Sequence, residues 1–322
     1  MPGLFDLPRD QLSSYGGSNP RPADFDLYWD TALTESAAAP LRSDFVVNGE
    51  IPTRVAECFD LWFAGADGAR LHAKFARPRA PHRPAPALLL FHGYSDSSRD
   101  WWHMIPWVAE GFCVAWLDCR GQGGLSQDPG GHGGNTLQGH IIRGVEDPDP
   151  RKLYYRQAFL DTERLARLVA SLPEVDSSRM AAFGASQGGG LTLACAALSP
   201  LISRAVAVYP FLSDYRRVYE MDLAKAAYEE ITQFFLRRDP RHEREDEFFT
   251  RLGYVDIQHL APRIRADTLM ITCLQDTICP PSTQFAAYNK ISAPKRVVFY
   301  PDHGHYPMIG GDDLAFRHVA SI

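Results

Sequence analysis

The segment Gly184-Ala185-Ser186-Gln187-Gly188 carries a side chain that could act as a nucleophile. A Gly-x-Ser-x-Gly pattern is typical of a tight turn between a strand and a helix, which exposes the serine hydroxyl. Cβ atoms at Gly184 and Gly188 would collide with the neighbouring strand and helix. The alternative is a glycine-rich turn with an incidental serine. The rest of the chain must therefore supply a base, an acid and oxyanion donors.

Asp276 is the candidate acid. It comes two residues after an apolar run at 268–274 that is predicted to be a strand. Its alternative role is an N-cap for a helix that opens near Pro280-Pro281-Ser282. Asp276 lies early for that role and Ser282 could serve instead, so the catalytic interpretation is favoured.

The candidate base is a histidine downstream of Asp276, because hydrolases built on this turn run in the order serine, acid, histidine. His303 and His305 both lie in the loop after the strand predicted at 296–300. His318 falls in a terminal helical pattern and fits least well. The spacing alone leaves His303 and His305 as alternatives.

Two backbone amides are expected to bind the oxyanion. One is the N–H of Gln187, at the first turn of the helix after Ser186, where amides are unpaired. The other is the N–H of Tyr94, which follows the apolar run 87–91 and His92-Gly93. Loss of one such donor typically costs about 10²–10³ in rate. His92 is predicted to be structural.

The elements that must position these groups predict an α/β fold with a doubly wound, mostly parallel sheet. Short apolar runs alternate with helical patterns, as in sheets buried on both faces. We expect one domain over 1–322, with an N-terminal extension at 1–40 and a helical insertion or cap at about 213–260. Strands are predicted at 55–63, 71–75, 87–91, 112–117, 180–183, 204–209, 268–274 and 296–300, and helices at 24–33 and 153–172.

Composition excludes several classes of function. The net charge of −6 comes without a basic block, which argues against nucleic acid as a partner. We expect no membrane span and no signal peptide. Six cysteines lie mostly in apolar runs without a Cys-x-x-Cys pair, which favours reduced thiols in the cytoplasm over a zinc site. The glycine-rich loop up to Gly139 lacks a Gly-Lys-Ser/Thr sequence, so no nucleotide and no other cofactor is expected.

The motifs together resemble those of carbohydrate esterase family 7, the acetyl xylan esterases and cephalosporin-C deacetylases. Arg120-Gly121-Gln122-Gly123 matches the family's Arg-Gly-Gln-Gly motif, and Gly184 to Gly188 its Gly-x-Ser-Gln-Gly motif. The pair is much more specific than either motif alone. The similarity covers essentially the whole chain, with further matching segments at 4–8, 21–29, 139–144 and 154–156.

The resemblance implies an α/β-hydrolase fold and a serine esterase that removes acetyl groups from small acetylated substrates. It implies Ser186 as nucleophile, Asp276 as acid, and the amides of Tyr94 and Gln187 as the oxyanion hole. It also implies a structural Arg120 and a homo-oligomer in the form of a ring-like hexamer.

The same resemblance selects His305 over His303. The family's histidine usually follows a glycine and precedes a glutamate. Gly304-His305 fits the first half of that pattern, whereas Tyr306 replaces the glutamate. This departure concerns the packing of the loop more than the chemistry.

Other functions remain open from the sequence. The chain could be another serine hydrolase of this fold, such as a peptidase or a dienelactone-type hydrolase. It could be a non-catalytic binding module, or a metal-dependent hydrolase that uses His303 and His305 as ligands. The natural alcohol also stays open, because acetylated xylo-oligosaccharides, other acetylated sugars and cephalosporin C present the same carbonyl.

Overall fold

The computed structural model describes residues 5–79, 84–129 and 135–322. Its central feature is one sheet. Within the described residues the sheet has nine strands, β1 to β9: Asp44–Asn48, Ala56–Ala64, Arg70–Pro78, Ala85–Phe91, Cys113–Leu117, Val175–Ala185, Ile202–Val208, Asp267–Cys273 and Lys295–Tyr300.

The strand order confirms the doubly wound, mostly parallel α/β arrangement. Across the sheet the order is β1-β2-β3-β5-β4-β6-β7-β8-β9. The strands β4 to β9 are all parallel to one another. The strands β1 to β3 form an antiparallel extension that pairs with β5 at its edge. After β4 the chain adds β5 on one side of that strand, and then crosses over to add β6 on the other side. The strand order therefore changes direction between β4 and β6, and α/β sheets bind ligands at such a switch point.

Helices cover both faces of the sheet. In the described parts of the chain the α-helices α1 to α11 are Arg9–Leu12, Phe25–Ala38, Ile105–Ala109, Tyr154–Ala170, Gln187–Leu198, Tyr215–Glu220, Glu229–Arg238, Glu245–Gly253, Ile257–Leu260, Pro281–Tyr288 and Gly311–Val319. Short 3-10 helices lie at Trp101–His103, Pro150–Lys152, Ala226–Tyr228 and Ala261–Arg263.

Burial follows the apolar runs that predicted the strands. All five residues of β5 are buried, and six of the seven in β4 are. Two large apolar clusters fill the two sides of the sheet. One contains Trp29 and Phe159, and the other contains Met104 and Trp116. A parallel sheet covered in this way leaves only the loops at its strand ends to reach solvent.

The strand β1 was absent from the sequence-based expectations. It is an edge strand with the pattern Asp-Phe-Val-Val-Asn, and Val46 and Val47 are both exposed. No apolar alternation marks it, because only the partly buried Phe45 packs against the core. Pairing with β2 therefore decides its structure rather than its own side chains.

The N-terminal extension is tied to the helical segment at 213–260. Asp214 accepts hydrogen bonds from the Tyr15 hydroxyl at 2.8 Å and from the Asn19 amide at 2.8 Å. The indole Nε1 of Trp29 in α2 donates to the Tyr254 carbonyl at 2.9 Å. The predicted helical segment is confirmed as α6 to α9 with their connecting turns. The single-domain division stays a prediction.

Two parts of the sequence interpretation lie outside the described residues. These are Leu4, in the N-terminal motif, and residues 130–134 of the glycine-rich loop. Among the residues that the structure does describe, no helix combines the length and apolar character needed to span a membrane.

Candidate active site

Ser186 lies at a sharp turn between β6, which ends at Ala185, and α5, which begins at Gln187. Its backbone has φ 58° and ψ −122°, a conformation that residues other than glycine rarely adopt. A Cβ at Gly184 would collide with the backbone of Gly188, and a Cβ at Gly188 with the carbonyl oxygen of Phe91. The glycines are therefore required by close packing of the turn, as the sequence pattern predicted.

Backbone hydrogen bonds hold the strained turn. The Ser186 N–H donates to the Val208 carbonyl at the end of β7, at 3.0 Å. The Ser186 carbonyl accepts from the amides of Gly190 and Phe211, each at 3.0 Å. Because these three hydrogen bonds fix the backbone on both sides of Ser186, its unfavourable φ can persist.

His305 links Ser186 to Asp276. Its Nε2 lies 3.0 Å from Ser186 Oγ, and its Nδ1 lies 2.8 Å from Asp276 Oδ2. The three side chains come from loops after β6, β8 and β9, at the carboxyl ends of parallel strands. The His305 side chain is 21% exposed, so part of the imidazole is open to solvent.

Asp276 is held by its own loop. The carboxylate is fully buried, and its Oδ1 accepts from the amides of Ile278 at 2.9 Å and Cys279 at 2.8 Å. The alternative N-cap role is wrong, because Pro280 occupies the cap position of α10 and the carboxylate closes the turn before it. Three donors on the carboxylate, with His305 as the third, leave it oriented toward the imidazole.

His303 does not reach Ser186. Its ring packs against Tyr300 and Tyr306, with centroids 5.3 Å and 5.4 Å away, while its carbonyl accepts from the Gln275 amide. The structure therefore separates the two histidines that the spacing left as alternatives. Tyr306, at the position of the family's glutamate, is 52% exposed.

The two expected oxyanion amides lie on adjacent elements. Tyr94 follows β4 by three residues, and Gln187 opens α5. Within the described residues neither N–H has an acceptor. The absence of a side chain at Gly188 lets α5 approach the end of β4 closely, because a Cβ there would meet the Phe91 carbonyl oxygen. Such unpaired N–H groups are suited to a developing negative charge.

The side chain of Tyr94 is anchored to the helical segment by its hydroxyl. Its hydroxyl donates to the Glu230 carboxylate in α7, and its ring packs on Phe211 with centroids 5.7 Å apart. Glu230 also accepts from the amides of Ile141 and Ile142, at 2.7 Å and 3.0 Å. Burial raises the pKa of Glu230. No sequence pattern pointed to this residue, which lies in a charged helical stretch far along the chain from Tyr94.

His92 and Arg120 have the structural roles predicted for them. The Nε2 of His92 accepts from the Cys119 amide at 2.8 Å, and burial lowers the pKa of the ring. The guanidinium of Arg120 is buried between Asp67 and Asp161, with Nε 2.6 Å from Asp161. Both side chains are therefore held in buried contacts.

One group of three potential metal ligands occurs among the described residues: Asp276, Cys279 and His305, with donor atoms within 4.8 Å of one another. His303 is not part of it, so the His-x-His alternative has no structural basis there. Asp276 and His305 are already bonded to each other, and burial raises the pKa of the Cys279 thiol well above its usual range. A protonated thiol is a poor metal ligand.

Tyr209 is a neighbour of the site that the sequence did not reveal. It follows β7, and its ring lies 4.5 Å from the His305 ring, measured between centroids. Burial raises the pKa of the Tyr209 hydroxyl to about 12, so this hydroxyl stays protonated at neutral pH. The only relevant sequence signal is that Tyr209 ends the strand predicted at 204–209, which places it at the same edge of the sheet as the candidate site residues.

The arrangement can perform acyl transfer. A hydroxyl, an imidazole and a carboxylate are aligned, each within hydrogen-bonding distance of the next. This is the geometry of nucleophilic catalysis with a general base.

Comparisons with known proteins agree with this chemistry. Residues 2–316 match the sequence model of the acetyl xylan esterase family AXE1. A solved structure of acetyl xylan esterase 1 from Thermoanaerobacterium sp. JW/SL YS485 is 51% identical, with a TM-score of 0.95 over 98% of this chain and 99% of that chain. An acetyl xylan esterase from Paenibacillus sp. R4 is 37% identical, with a TM-score of 0.92 over 98% and 99%.

A curated relative, the acetyl esterase Axe7A of Xylanibacter ruminicola, is 24% identical over 297 residues. The match covers 88% of this chain but only 64% of that protein's length. The family match over nearly the whole chain is decisive. The chain belongs to the acetyl xylan esterase family, has the α/β-hydrolase fold, and is a carboxylic ester hydrolase.

Proposed function

We propose that this member of the acetyl xylan esterase family is a serine esterase that removes acetyl groups from small acetylated sugars through an acyl-enzyme. The single observation that carries the proposal is the position of the His305 imidazole, 3.0 Å from Ser186 Oγ and 2.8 Å from Asp276. An imidazole so placed can take a proton from the hydroxyl while the carboxylate stabilises the imidazolium.

In the first half of the reaction, Ser186 Oγ attacks the acetyl carbonyl carbon and its proton passes to His305 Nε2. The carbonyl oxygen becomes an oxyanion that accepts hydrogen bonds from the amides of Tyr94 and Gln187. The tetrahedral intermediate then collapses, the ester C–O bond breaks, and His305 returns the proton to the departing sugar oxygen.

In the second half, a water molecule attacks the acetyl group on Ser186, and His305 takes one of its protons. The intermediate collapses again, acetate leaves, and His305 returns the proton to Ser186 Oγ. Throughout, Asp276 holds the imidazole with Nδ1 protonated. General acid–base catalysis of this kind is worth about 10²–10⁴ in rate, and each oxyanion donor about 10²–10³.

A panel of substrates tests the acetyl preference. Acetate release should be measured on acetylated xylo-oligosaccharides, other acetylated sugars and cephalosporin C, with acyl length varied on one alcohol. We expect kcat/KM to be highest for acetyl and to fall for longer acyl groups. Faster turnover of a peptide or of a dienelactone than of any acetyl ester would instead favour another hydrolase of the same fold.

Active-site labelling tests whether the site is catalytic at all. A fluorophosphonate probe should label the wild-type chain and fail to label Ser186→Ala. No labelling and no ester turnover in the wild type would favour a non-catalytic binding module. Loss of activity on treatment with a chelator would favour a metal-dependent hydrolase.

Two further properties form part of the proposal. All six cysteines are buried free thiols, which supports work in the reducing cytoplasm. The homo-oligomer, proposed to be a hexamer by resemblance to the family, has candidate contact residues in Val47 and Leu236, which are 75% and 65% exposed. Cell fractionation tests the first proposal, and light scattering on the purified chain tests the second.

A further inference from the structure

Two motif glutamines, far apart in the sequence, meet beneath the candidate oxyanion site. Gln122 belongs to the Arg-Gly-Gln-Gly segment after β5, and Gln187 follows the nucleophile. Gln122 Nε2 donates to Gln187 Oε1 at 2.8 Å, and Gln187 Nε2 donates back to Gln122 Oε1 at 3.0 Å. Both side chains are completely buried. They form a reciprocal pair of amides.

The remaining hydrogen-bonding capacity of both amides is also used. Gln122 Nε2 lies 3.1 Å from the Tyr154 hydroxyl, and the Tyr155 hydroxyl donates to Gln187 Oε1 at 2.8 Å. A primary amide can make four hydrogen bonds, two through its N–H donors and two through its oxygen. The reciprocal pair uses two of these on each glutamine, and a tyrosine hydroxyl fills one more on each. Both tyrosines come from the start of α4, in the segment 154–156 that resembles the family.

The other two bonds reach the loop that carries Tyr94. Gln122 Oε1 accepts from the Ser95 amide at 2.9 Å, and Gln187 Nε2 donates to the Gly93 carbonyl at 3.2 Å. The pair therefore holds the residue before Tyr94 and the residue after it. Tyr94 and Gln187 contribute the two amides proposed to bind the oxyanion. One buried pair thus connects both donors.

We propose that Gln122 is a positioning residue for the oxyanion hole, acting through Gln187 and through the loop on either side of Tyr94. The inference rests on the proposed function of the two amides. Oxyanion donors act because they are aimed before the reaction begins, at the place where charge develops. A fully bonded buried network is rigid, whereas a partly bonded one is costly and mobile. Gln122 is what closes this network.

The network requires an amide at position 122. A glutamate there would keep the shape but would present oxygen to Gln187 Oε1, and it would lose the donors to Gln187 and to the Tyr154 hydroxyl. A leucine would keep most of the volume but leave the Ser95 amide without its acceptor and would remove both bonds between the two side-chain amides, so that Gln187 keeps only Tyr155 and Gly93. Both changes should let the Tyr94 and Gln187 amides drift apart without altering Ser186, His305 or Asp276.

The test compares Gln122→Leu and Gln122→Glu with wild type and with Gln258→Leu. Gln258 is an equally buried glutamine in α9 that bonds Asp256 and Lys290 instead of the candidate site. Folded sites are counted by complete labelling with a fluorophosphonate, and kcat and KM are measured per folded site on one acetyl ester. We expect kcat to fall about 10- to 100-fold in both Gln122 variants while KM changes little. The control variant should lose stability but keep kcat.

A second measurement separates positioning from mere stability. A trifluoromethyl ketone analogue of the acetyl ester adds to Ser186 Oγ, the serine proton passes to His305, and the ketone oxygen becomes an oxyanion in the hole. Its inhibition constant should rise by about the same factor by which kcat/KM falls across the variants. Tyr155→Phe removes only one hydroxyl donor to Gln187 and should show the same correlation at a smaller scale. This variant keeps the test open if Gln122→Leu fails to fold.

Unchanged kcat per folded site in the Gln122 variants would overturn the inference, whatever their melting temperatures. So would a rise in KM with kcat preserved, or loss of activity without weaker binding of the ketone. The proposed function fails on a different result, namely ester turnover that survives Ser186→Ala. The two failures are therefore distinguishable.

Discussion

At the scale of single residues, the site depends on a strained serine between glycines that have no room for a side chain. A positive φ at a residue other than glycine costs about 1–3 kcal/mol and persists only where the surroundings hold it. Here the carbonyl and amide of Ser186 are fixed by Val208, Gly190 and Phe211. The strain keeps the hydroxyl out of the helix and directed at His305.

Gly188→Ala should destabilise the fold as well as the site. The new Cβ would meet the Phe91 carbonyl, so α5 or the end of β4 would have to move. We expect the free energy of unfolding to fall by about 1–3 kcal/mol, as for overpacked cores, with loss of most esterase activity. Urea denaturation measures the change. Gly49→Ala is the matched control, because a Cβ there meets open space. A Gly188→Ala chain as stable as the control would contradict the packing account.

The two histidines of the last loop form a natural pair of variants. His305→Ala removes the imidazole between Ser186 and Asp276, and we expect kcat/KM to fall about 10⁴-fold or more. His303→Ala removes a ring that packs only on Tyr300 and Tyr306, so kcat/KM should stay within about threefold of wild type. Steady-state kinetics on an acetyl ester, with folding checked by circular dichroism, measures both. A larger loss for His303→Ala than for His305→Ala would reverse the assignment.

At the scale of elements, parallel strands bring distant segments to one edge of the sheet. The loops after β4, β6, β8 and β9 carry Tyr94, Ser186, Asp276 and His305. Since all these strands point the same way, their carboxyl ends and loops converge. The helical segment at 213–260 adds Glu230, which holds the side chain of Tyr94 and the backbone of 141–142.

A buried carboxylate pair joins the helical segment to the N-terminal extension. Asp256 accepts from the Asp214 amide at 3.0 Å, while the Asp214 carboxylate holds Tyr15, Ser18 and Asn19. Burial, followed by the charge of Asp214, raises the pKa of Asp256 to about 7. The folded chain therefore binds a proton at Asp256 that the unfolded chain releases above the carboxyl's ordinary pKa of 3.8.

This raised pKa predicts a pH dependence of stability. A carboxyl whose pKa is higher in the folded state contributes stability that is complete below its unfolded pKa and is lost as pH rises toward about 7. Asp256→Asn, which cannot titrate, should therefore show a flatter dependence of unfolding free energy on pH between about 4 and 7. Urea denaturation of both chains across that range is the measurement. Identical slopes for variant and wild type would show that Asp256 titrates normally.

At the scale of the whole molecule, the sequence predicted most of the sheet and named the three side chains, Ser186, Asp276 and His305, that the structure brings within hydrogen-bonding distance. The buried strands were recognisable as apolar runs in the sequence, and the turn around Ser186 was recognisable from its glycines. The edge strand β1 gave no such signal, since its order comes from pairing with β2. The spacing could not choose between His303 and His305, because residues two apart in a loop are distinguished only by how that loop folds over Tyr209 and Asp276.

Contacts between distant segments were the other part that sequence reasoning did not supply. The bonds from Asp214 to the extension, from Glu230 to Tyr94, and between Gln122 and Gln187 each join residues that are far apart in the sequence. None has a local signature, since each depends on the order in which strands lie in the sheet. Function followed more readily, because Ser186 and its neighbours form a short and specific motif.

The central claim is that acetyl transfer passes through Ser186. Its most direct test is to mix the wild-type chain with an activated acetyl ester, quench within the first turnovers, and locate the acetyl group by peptide mass spectrometry. The account predicts one acetyl group, on the peptide that contains Ser186, formed in wild type and absent from Ser186→Ala. Acetate release without that adduct under conditions where acylation is faster than hydrolysis, or an acetyl group that accumulates on another side chain during turnover, would contradict it.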